Sequence, residues 1–302
     1  MTLPSRPAEQ SLAVSAADPR AGILWMLLTV ALFVSLDALA KYLTQYYPTL
    51  QVTWARFFFH AMWLIPVLRW RFFSIMRTRH ITLQLSRGFL MFIANALFFA
   101  GVSLMPLVSA STIVMLSPLI VTALSVPLLG EQVGPRRWAC VIAACIGALI
   151  VIRPGAGVLH WAALLPLGSA LSYGLYQIAT RHVGQVDPPM TTLFYSVSVG
   201  VPLTTLIMPF IWVAPDLKAW LLMAGLGLIG GVSHFTLIKA FAAAPVAVVA
   251  PFNYTNLIWA TLFGFLLFQE LPDRWTILGA LIIATSGLYA FLREQKRRAE
   301  DT

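Results

Sequence analysis

Continuous apolar runs, separated by short polar segments, make up most of this chain. Each run is about 20 residues long, which at 1.5 Å per residue lets a helix cross the ~30 Å hydrocarbon core of a bilayer. The runs do not alternate between apolar and polar positions, as membrane strands do. The pattern therefore predicts an all-α integral membrane protein with ten transmembrane helices, at 21–43, 49–69, 86–104, 107–129, 135–153, 158–181, 190–213, 218–241, 245–268 and 273–293.

A stretch near the middle of the chain has a counterpart near its end. The segments 107–131 (LVSASTIVMLSPLIVTALSVPLLGE) and 246–270 (VAVVAPFNYTNLIWATLFGFLLFQE) align without a gap, and both end on a glutamate. This spacing indicates one five-helix unit used twice. Because five is odd, the two units are inverted in the membrane. The predicted order is a disordered tail, a first unit, a second unit and a basic tail, at 1–20, 21–154, 157–293 and 294–302.

Composition and charge support a membrane protein and give it an orientation. Hydrophobic residues make up 59% of the chain and charged residues 10%, against about 25% charged in a soluble domain. With the N-terminus inside, fourteen Lys and Arg residues fall in inner segments and three in outer loops. Basic residues mark cytoplasmic loops, so the net charge of +9 is no sign of nucleic-acid binding. We expect both termini in the cytoplasm.

The sequence lacks the motifs of the common membrane enzymes and pumps. It contains no H-E-x-x-H, G-x-S-x-G or P-loop pattern, and Asp37 is the one aspartate deep in a predicted span. Cys140 and Cys145 lie five apart on one helix and do not share a face as metal ligands would. These observations favour a protein that is not an enzyme and that needs no cofactor or metal. A non-transporting membrane enzyme or assembly factor remains the alternative from another class.

The inverted units and the segments SPLIVTALSVPLLGE and APFNYTNLIWATLFGFLLFQE resemble the drug/metabolite transporter superfamily, EamA type. The resemblance covers residues 21–293 and implies a secondary transporter that moves a small metabolite across the bacterial inner membrane by alternating access. The aromatic-rich helices look most similar to the amino-acid exporter branch (YddG type), which implies export of aromatic or large apolar amino acids. Import of a vitamin- or nucleoside-like metabolite is the alternative. The expected partners are the substrate and the lipid bilayer, with a monomer and possible proton coupling.

Charged groups inside apolar helices are the first site candidates, because a charge at mid-bilayer costs about 2.5–3.5 kcal/mol on insertion scales. Asp37 and Lys41 lie four apart on one face of the first span, as a charged cavity lining or an internal ion pair. In the second span, Arg56 lies near the outer edge, where we expect it to snorkel, and His60 lies deeper.

Polar and aromatic residues at matched positions of the two units complete the predicted substrate site. Asn95, beside Phe98 and Phe99, has His234 as its counterpart in the second unit. In the alignment of the first and sixth spans, Tyr173 falls on Asp37 and Gln177 falls on Lys41. Further candidates for substrate contact are Trp25, Tyr176, Asn253, Tyr254 and Asn256. Glu131 and Glu270 end the two aligned segments as gates or caps, with Arg136 or Arg274 as expected partners.

Overall fold

The computed structural model describes residues 18–68, 76–130, 133–153, 159–183 and 187–300. Within this part of the chain every regular element is a helix. In chain order, the helices are α1 Pro19–Thr44, α2 Thr49–Leu68, α3 Ile81–Leu104, α4 Leu107–Val114, α5 Ser117–Leu129, α6 Pro135–Ile152, α7 Leu159–Ala162, α8 Leu164–Val183, α9 Pro189–Ser198, α10 Gly200–Ile211, α11 Leu217–Ala243, α12 Val246–Val249, α13 Asn256–Phe268 and α14 Arg274–Glu300. A 3₁₀ segment, Ala250–Thr255, joins α12 to α13.

Seven helical stretches of the described chain are long and apolar enough to cross a membrane by themselves. They are Pro19–Thr44, Ile81–Leu104, Leu107–Leu128, Pro135–Ile152, Met190–Ile211, Leu217–Ala243 and Arg274–Arg293. The other three predicted spans correspond to α2, to α8 and to the broken stretch from α12 to α13. They are the more polar or interrupted segments: α2 carries Arg56 and His60, and α8 carries Tyr173 and Gln177. The count of ten spans therefore stays a prediction.

The two aligned segments are broken at the same place. In the first, the helix is interrupted at Met115 and Leu116, between α4 and α5. In the second, the 3₁₀ segment ends at the aligned position, Thr255. Pro118 and Pro251 lie beside these breaks and lack the N–H that a continuous helix needs. Broken backbone at membrane depth is tolerated where it lines a cavity, so these breaks point to the position of a site.

Antiparallel neighbours pack closely through small residues. Thr29 of α1 donates a hydrogen bond of 2.9 Å to Thr236 of α11. Ser169 of α8 donates one of 2.7 Å to the carbonyl of Ala94 in α3. On α14, a Cβ added to Gly279 would collide with the Gly147 backbone of α6. Small residues let membrane helices approach in this way.

The two ends of the helix bundle hold different parts of the chain. We call the end that holds the α1–α2 turn, residues 45–48, the turn end. The opposite end, where α1 begins and α11 finishes, is called the tail end. Gly22 of α1 lies there against Ala244, directly after α11.

Candidate functional site

A cavity lies in the middle of the bundle, in two adjoining parts of about 440 and 210 Å³. Both predicted units contribute helices to its wall. Five residues line both parts: Asp37, Phe98, Val114, Tyr173 and Asn256. Such a volume, with mostly apolar walls and a few polar groups, is typical of a small-molecule site.

The smaller part contains the charged and polar groups nearest the turn end. Arg56, Asn95 and His234 line it, together with Asp37. The His234 ring contacts Phe33 edge-on, with the ring centroids 5.2 Å apart. Asn95 and His234, predicted as counterparts in the two units, are thus brought into one cavity. The Asn95 amide also donates to the Met91 carbonyl at 2.7 Å, which fixes its orientation on α3.

The larger part extends toward the tail end. Gln177, Asn253 and Tyr254 line it, as do Ser111 and Ser117 beside the break between α4 and α5. Farther toward the tail end its wall includes Phe241, in the last turn of α11, and Phe291 of α14. The structure therefore brings six of the predicted contact residues around one space, namely Asp37, Phe98, Tyr173, Gln177, Asn253 and Tyr254.

Arg56 lies in the cavity wall and not at the membrane edge, so the expectation that it snorkels is wrong. Its side chain is buried, with 5% of the residue exposed, and the guanidinium lies 5.4 Å from the Phe57 ring centroid and 5.9 Å from that of Phe99. The reason is its position: seven residues after Thr49, it lies roughly 10 Å below the start of α2. Counting residues from the turn, instead of from the edge of the apolar run, would have identified it.

Lys41 pairs with Glu270 at the turn end. Its ammonium lies 2.6 and 2.8 Å from the two carboxylate oxygens and donates to the Met105 carbonyl at 2.9 Å. The carboxylate also accepts from the Leu107 N–H at 3.1 Å. The pair joins α1, the α3–α4 connection and the residues after α13, and closes the bundle one helical turn beyond Asp37.

This pairing corrects two expectations from the sequence. Lys41 does not pair with Asp37, and Glu270 is not paired with Arg136 or Arg274. The chain reverses at Gln269, whose φ of 57° is left-handed, and the Glu270 N–H then bonds back to the Gly264 carbonyl at 3.0 Å. That turn directs the Glu270 side chain toward α1. Glu131, predicted as the second gate or cap, lies outside the described residues.

Besides Lys41, three predicted contact residues lie outside the two parts of the cavity. Trp25 is half-buried against the core, and Phe99 is fully buried in the core behind Arg56. Tyr176 contributes to a hydrogen-bond network, because its hydroxyl accepts from Arg87 at 3.2 Å. Asn256, a further candidate beside Asn253 and Tyr254 in the ninth predicted span, lines both parts of the cavity.

The family model and the named relatives all describe transporters. The model of the EamA-like transporter family matches the chain twice, over residues 20–153 and 160–292. A riboflavin transporter of Rhizobium johnstonii is 30% identical and covers 96% of this chain and 97% of its own. An S-adenosylmethionine uptake transporter of Rickettsia bellii is 28% identical over 91% and 94% of the two chains. A pseudopaline exporter of Pseudomonas aeruginosa is 23% identical over 88% and 94%.

The fold also has a solved counterpart. A crystal structure with 20% sequence identity superposes with a TM-score of 0.61 over 93% of this chain and 99% of that chain, and so shows the same fold. None of the three relatives named above is an amino-acid exporter, so the resemblance to that branch stays a prediction. With family matches over both halves and a relative of 30% identity along almost its whole length, the chain belongs to the EamA-like transporter family of the drug/metabolite transporter superfamily and is a multi-pass membrane transporter of a small metabolite.

Proposed function

We propose that the protein is a secondary transporter that works by alternating access, with the central cavity as its substrate site. One observation carries this proposal: the cavity is closed at the turn end and extends to the tail end. The Lys41–Glu270 pair forms the closure, one helical turn beyond Asp37. The lining reaches the last turn of α11 and the C-terminal half of α14. A cavity that an ion pair bounds at one end, and that extends toward the other, corresponds to one of the two states that alternating access requires.

The two family matches support the duplicated unit, since they fall on the two stretches predicted as repeats. The bias of basic residues assigns the tail end to the cytoplasm and the turn end to the outer side. With this orientation the cavity faces inward. We place the protein in the inner membrane of a bacterium, with both termini in the cytoplasm.

Export of amino acids, particularly aromatic or large apolar ones, is the first candidate for the transported solute. The cavity offers hydrogen-bonding groups and aromatic side chains in both parts, with Phe98 and Tyr173 lining both and Tyr254 lining the larger one. This combination suits a solute with a polar head and an apolar body, since polar groups orient a ligand and apolar surface holds it. A sugar, which needs polar contacts all round, fits less well.

Uptake of a vitamin- or nucleoside-like metabolite is the second candidate. The names of two relatives favour it, a riboflavin transporter and an S-adenosylmethionine uptake transporter. The aromatic walls would also accept a flat heterocycle. A third relative is named an exporter, so the relatives do not fix the direction of transport.

Counterflow into proteoliposomes tests the proposal. The panel contains radiolabelled amino acids, riboflavin, S-adenosylmethionine and a sugar, each measured with and without a pH gradient. We expect accumulation of one solute class, and stimulation by the gradient would identify proton coupling. Chemical conversion of a solute without flux would instead indicate the enzyme alternative and refute transport.

A matched pair of phenylalanine variants shows whether the flux uses this cavity. Phe98→Ala removes a ring that lines both parts, and we expect it to change the preference among solutes. Phe210→Ala is the control, because that side chain is 86% exposed on the surface of the bundle. Equal flux and equal preference in the two variants would place the substrate site elsewhere.

A further inference from the structure

Two buried arginines in this bundle have opposite hydrogen-bonding states. Arg87 of α3 is fully buried and donates to the Gln84 side chain, to the Tyr176 and Thr180 hydroxyls and to the Thr192 carbonyl. Its donors therefore hold α3 against α8 and α9. Arg56 is buried to a similar degree, but its Nε and Nη1 have no hydrogen-bond partner in the described part of the protein. Arg56 is thus not accounted for by a structural network.

Unpaired donors on a buried guanidinium are costly, because the group has lost water without gaining an acceptor. Stacking near Phe57 and Phe99 offsets only part of that loss, since aromatic rings accept no strong hydrogen bond. Arg56 lines the smaller part of the cavity, so a solute that enters it and displaces the neighbouring side chains slightly can supply the acceptor oxygens. Arginine forms short, charge-assisted and often bidentate hydrogen bonds with a carboxylate.

An acidic residue, Asp37, lines the same part of the cavity at a similar depth. Asp37 is seven residues before the end of α1, and Arg56 is seven residues after the start of α2. The Nε and Nη1 donors of Arg56 make no hydrogen bond to Asp37. Asn256 lines both parts of the cavity, and its side-chain oxygen is buried with no donor. The wall therefore contains unpaired donors and unpaired acceptors.

We propose that Arg56, Asp37 and Asn256 form a subsite for the dipolar head group of an amino acid. The α-carboxylate binds Arg56, and the α-ammonium donates to the Asp37 carboxylate and the Asn256 carbonyl oxygen. The aromatic residues Phe33, Phe98 and Tyr173 lie around the same space and hold the apolar part of the solute. This inference rests on the proposed function and narrows it to solutes that carry a free amino-acid head.

The subsite also gives a reason for selectivity. Without solute, Arg56 and Asp37 compensate each other's charge across the cavity. A zwitterion satisfies both, and the sum of charges in the site stays the same. A simple amine pairs with Asp37 alone and leaves the site with a surplus positive charge, which repels Arg56. A simple acid pairs with Arg56 alone and leaves a surplus negative charge, which repels Asp37. The site therefore binds solutes with only one of the two charged groups more weakly.

Binding of three matched probes to the purified wild-type protein in detergent tests this directly. L-Phenylalanine carries both charges, 2-phenylethylamine lacks the carboxylate, and 3-phenylpropionate lacks the ammonium. The other standard amino acids are measured in parallel, and the strongest binder is compared with its own amine and acid analogues. We expect the zwitterion to bind at least tenfold more tightly than either analogue, as the loss of one charged contact requires. Equal binding of the three probes, or no binding by any amino acid, would overturn the subsite.

Variants then assign the contacts. In Arg56→Gln the advantage of the amino acid over its amine should disappear, while its advantage over the acid should remain. In Asp37→Asn the reverse is expected, and Arg56→Lys should recover part of the carboxylate preference. If Arg56→Gln keeps the full preference for the carboxylate, the assignment is wrong. The three-probe comparison in wild type needs no variant, so a folding defect does not weaken the test.

The outcomes separate this inference from the proposed function. Counterflow of a solute without an amino-acid head, with no amino acid bound, overturns the subsite and leaves alternating-access transport standing. Absence of flux for every solute in the panel overturns both.

Discussion

The Lys41–Glu270 pair should hold the turn end closed, and its removal should shift the protein toward the state that is open there. The ammonium donates to both carboxylate oxygens, at 2.6 and 2.8 Å. Lys41 is almost fully buried, whereas 27% of the Glu270 side chain is exposed. Charged hydrogen bonds contribute about 1.5–3 kcal/mol, and the exposure of Glu270 favours the lower part of that range.

The effect on the two states follows from this value. The three segments that the pair joins must separate for the turn end to open, so we expect the pair to be absent from the open state. Glu270→Gln or Lys41→Met would then stabilise the open state relative to the closed one by about 1.5–3 kcal/mol. This corresponds to roughly a tenfold to hundredfold change in the population ratio.

Thiol labelling measures this shift. In a background with Cys140→Ala and Cys145→Ala, the reporter is Ser111→Cys, which lines the larger part of the cavity four residues after Leu107. A membrane-impermeant thiol reagent is added to intact cells, where it reaches the outer face of the membrane, and to inverted vesicles, where it reaches the cytoplasmic face. We expect the outer labelling rate to rise tenfold or more in either gate variant, and the inner rate to stay equal or fall.

A double variant shows whether the two residues act as a pair. Since each single change already breaks the interaction, Lys41→Met/Glu270→Gln should label about as fast as either single variant, not at the product of the two effects. The reasoning would be refuted by outer labelling rates that stay at the level of the parent reporter in both single variants. It would also be refuted if the double variant multiplied two independent effects.

Three further predictions follow from particular contacts. Gly287→Ala should reduce counterflow, because the added Cβ would collide with the Tyr254 hydroxyl in the cavity wall. Gly225→Ala is the control and should transport normally, because it has open space around it. Equal flux in the two variants would show that the position of Tyr254 does not affect transport. A thiol at Ala214, in the exposed segment before α11, should react only from outside, and labelling only from the cytoplasm would reverse the proposed orientation. Arg87→Met should lower the free energy of unfolding in detergent by about 1.5–3 kcal/mol, the contribution of one charged hydrogen bond. An unchanged melting temperature would show that the network is not stabilising.

The sequence alone determined the class of this protein and indicated many residues of the candidate site. Apolar runs of membrane length leave no other solvent than a bilayer, and in a bilayer polar side chains must turn away from lipid. For this reason Asp37, Asn95, Tyr173 and His234 could be assigned to an interior cavity from their positions in apolar helices. The aligned segments similarly indicated the duplicated unit, on which the two family matches fall.

Only the tertiary structure decided which groups meet. Lys41 finds its partner 229 residues away, through a reversal at Gln269 that no periodicity encodes. The sequence offered Asp37 instead, because spacing along one helix shows which residues share a face but not what lies opposite that face. Arg56 was placed at the membrane edge for the same reason: burial depends on how far neighbouring helices extend past it. Hydrophobicity specifies that a helix crosses the membrane, whereas its rotation and shift against its neighbours are set by packing among helices distant in sequence.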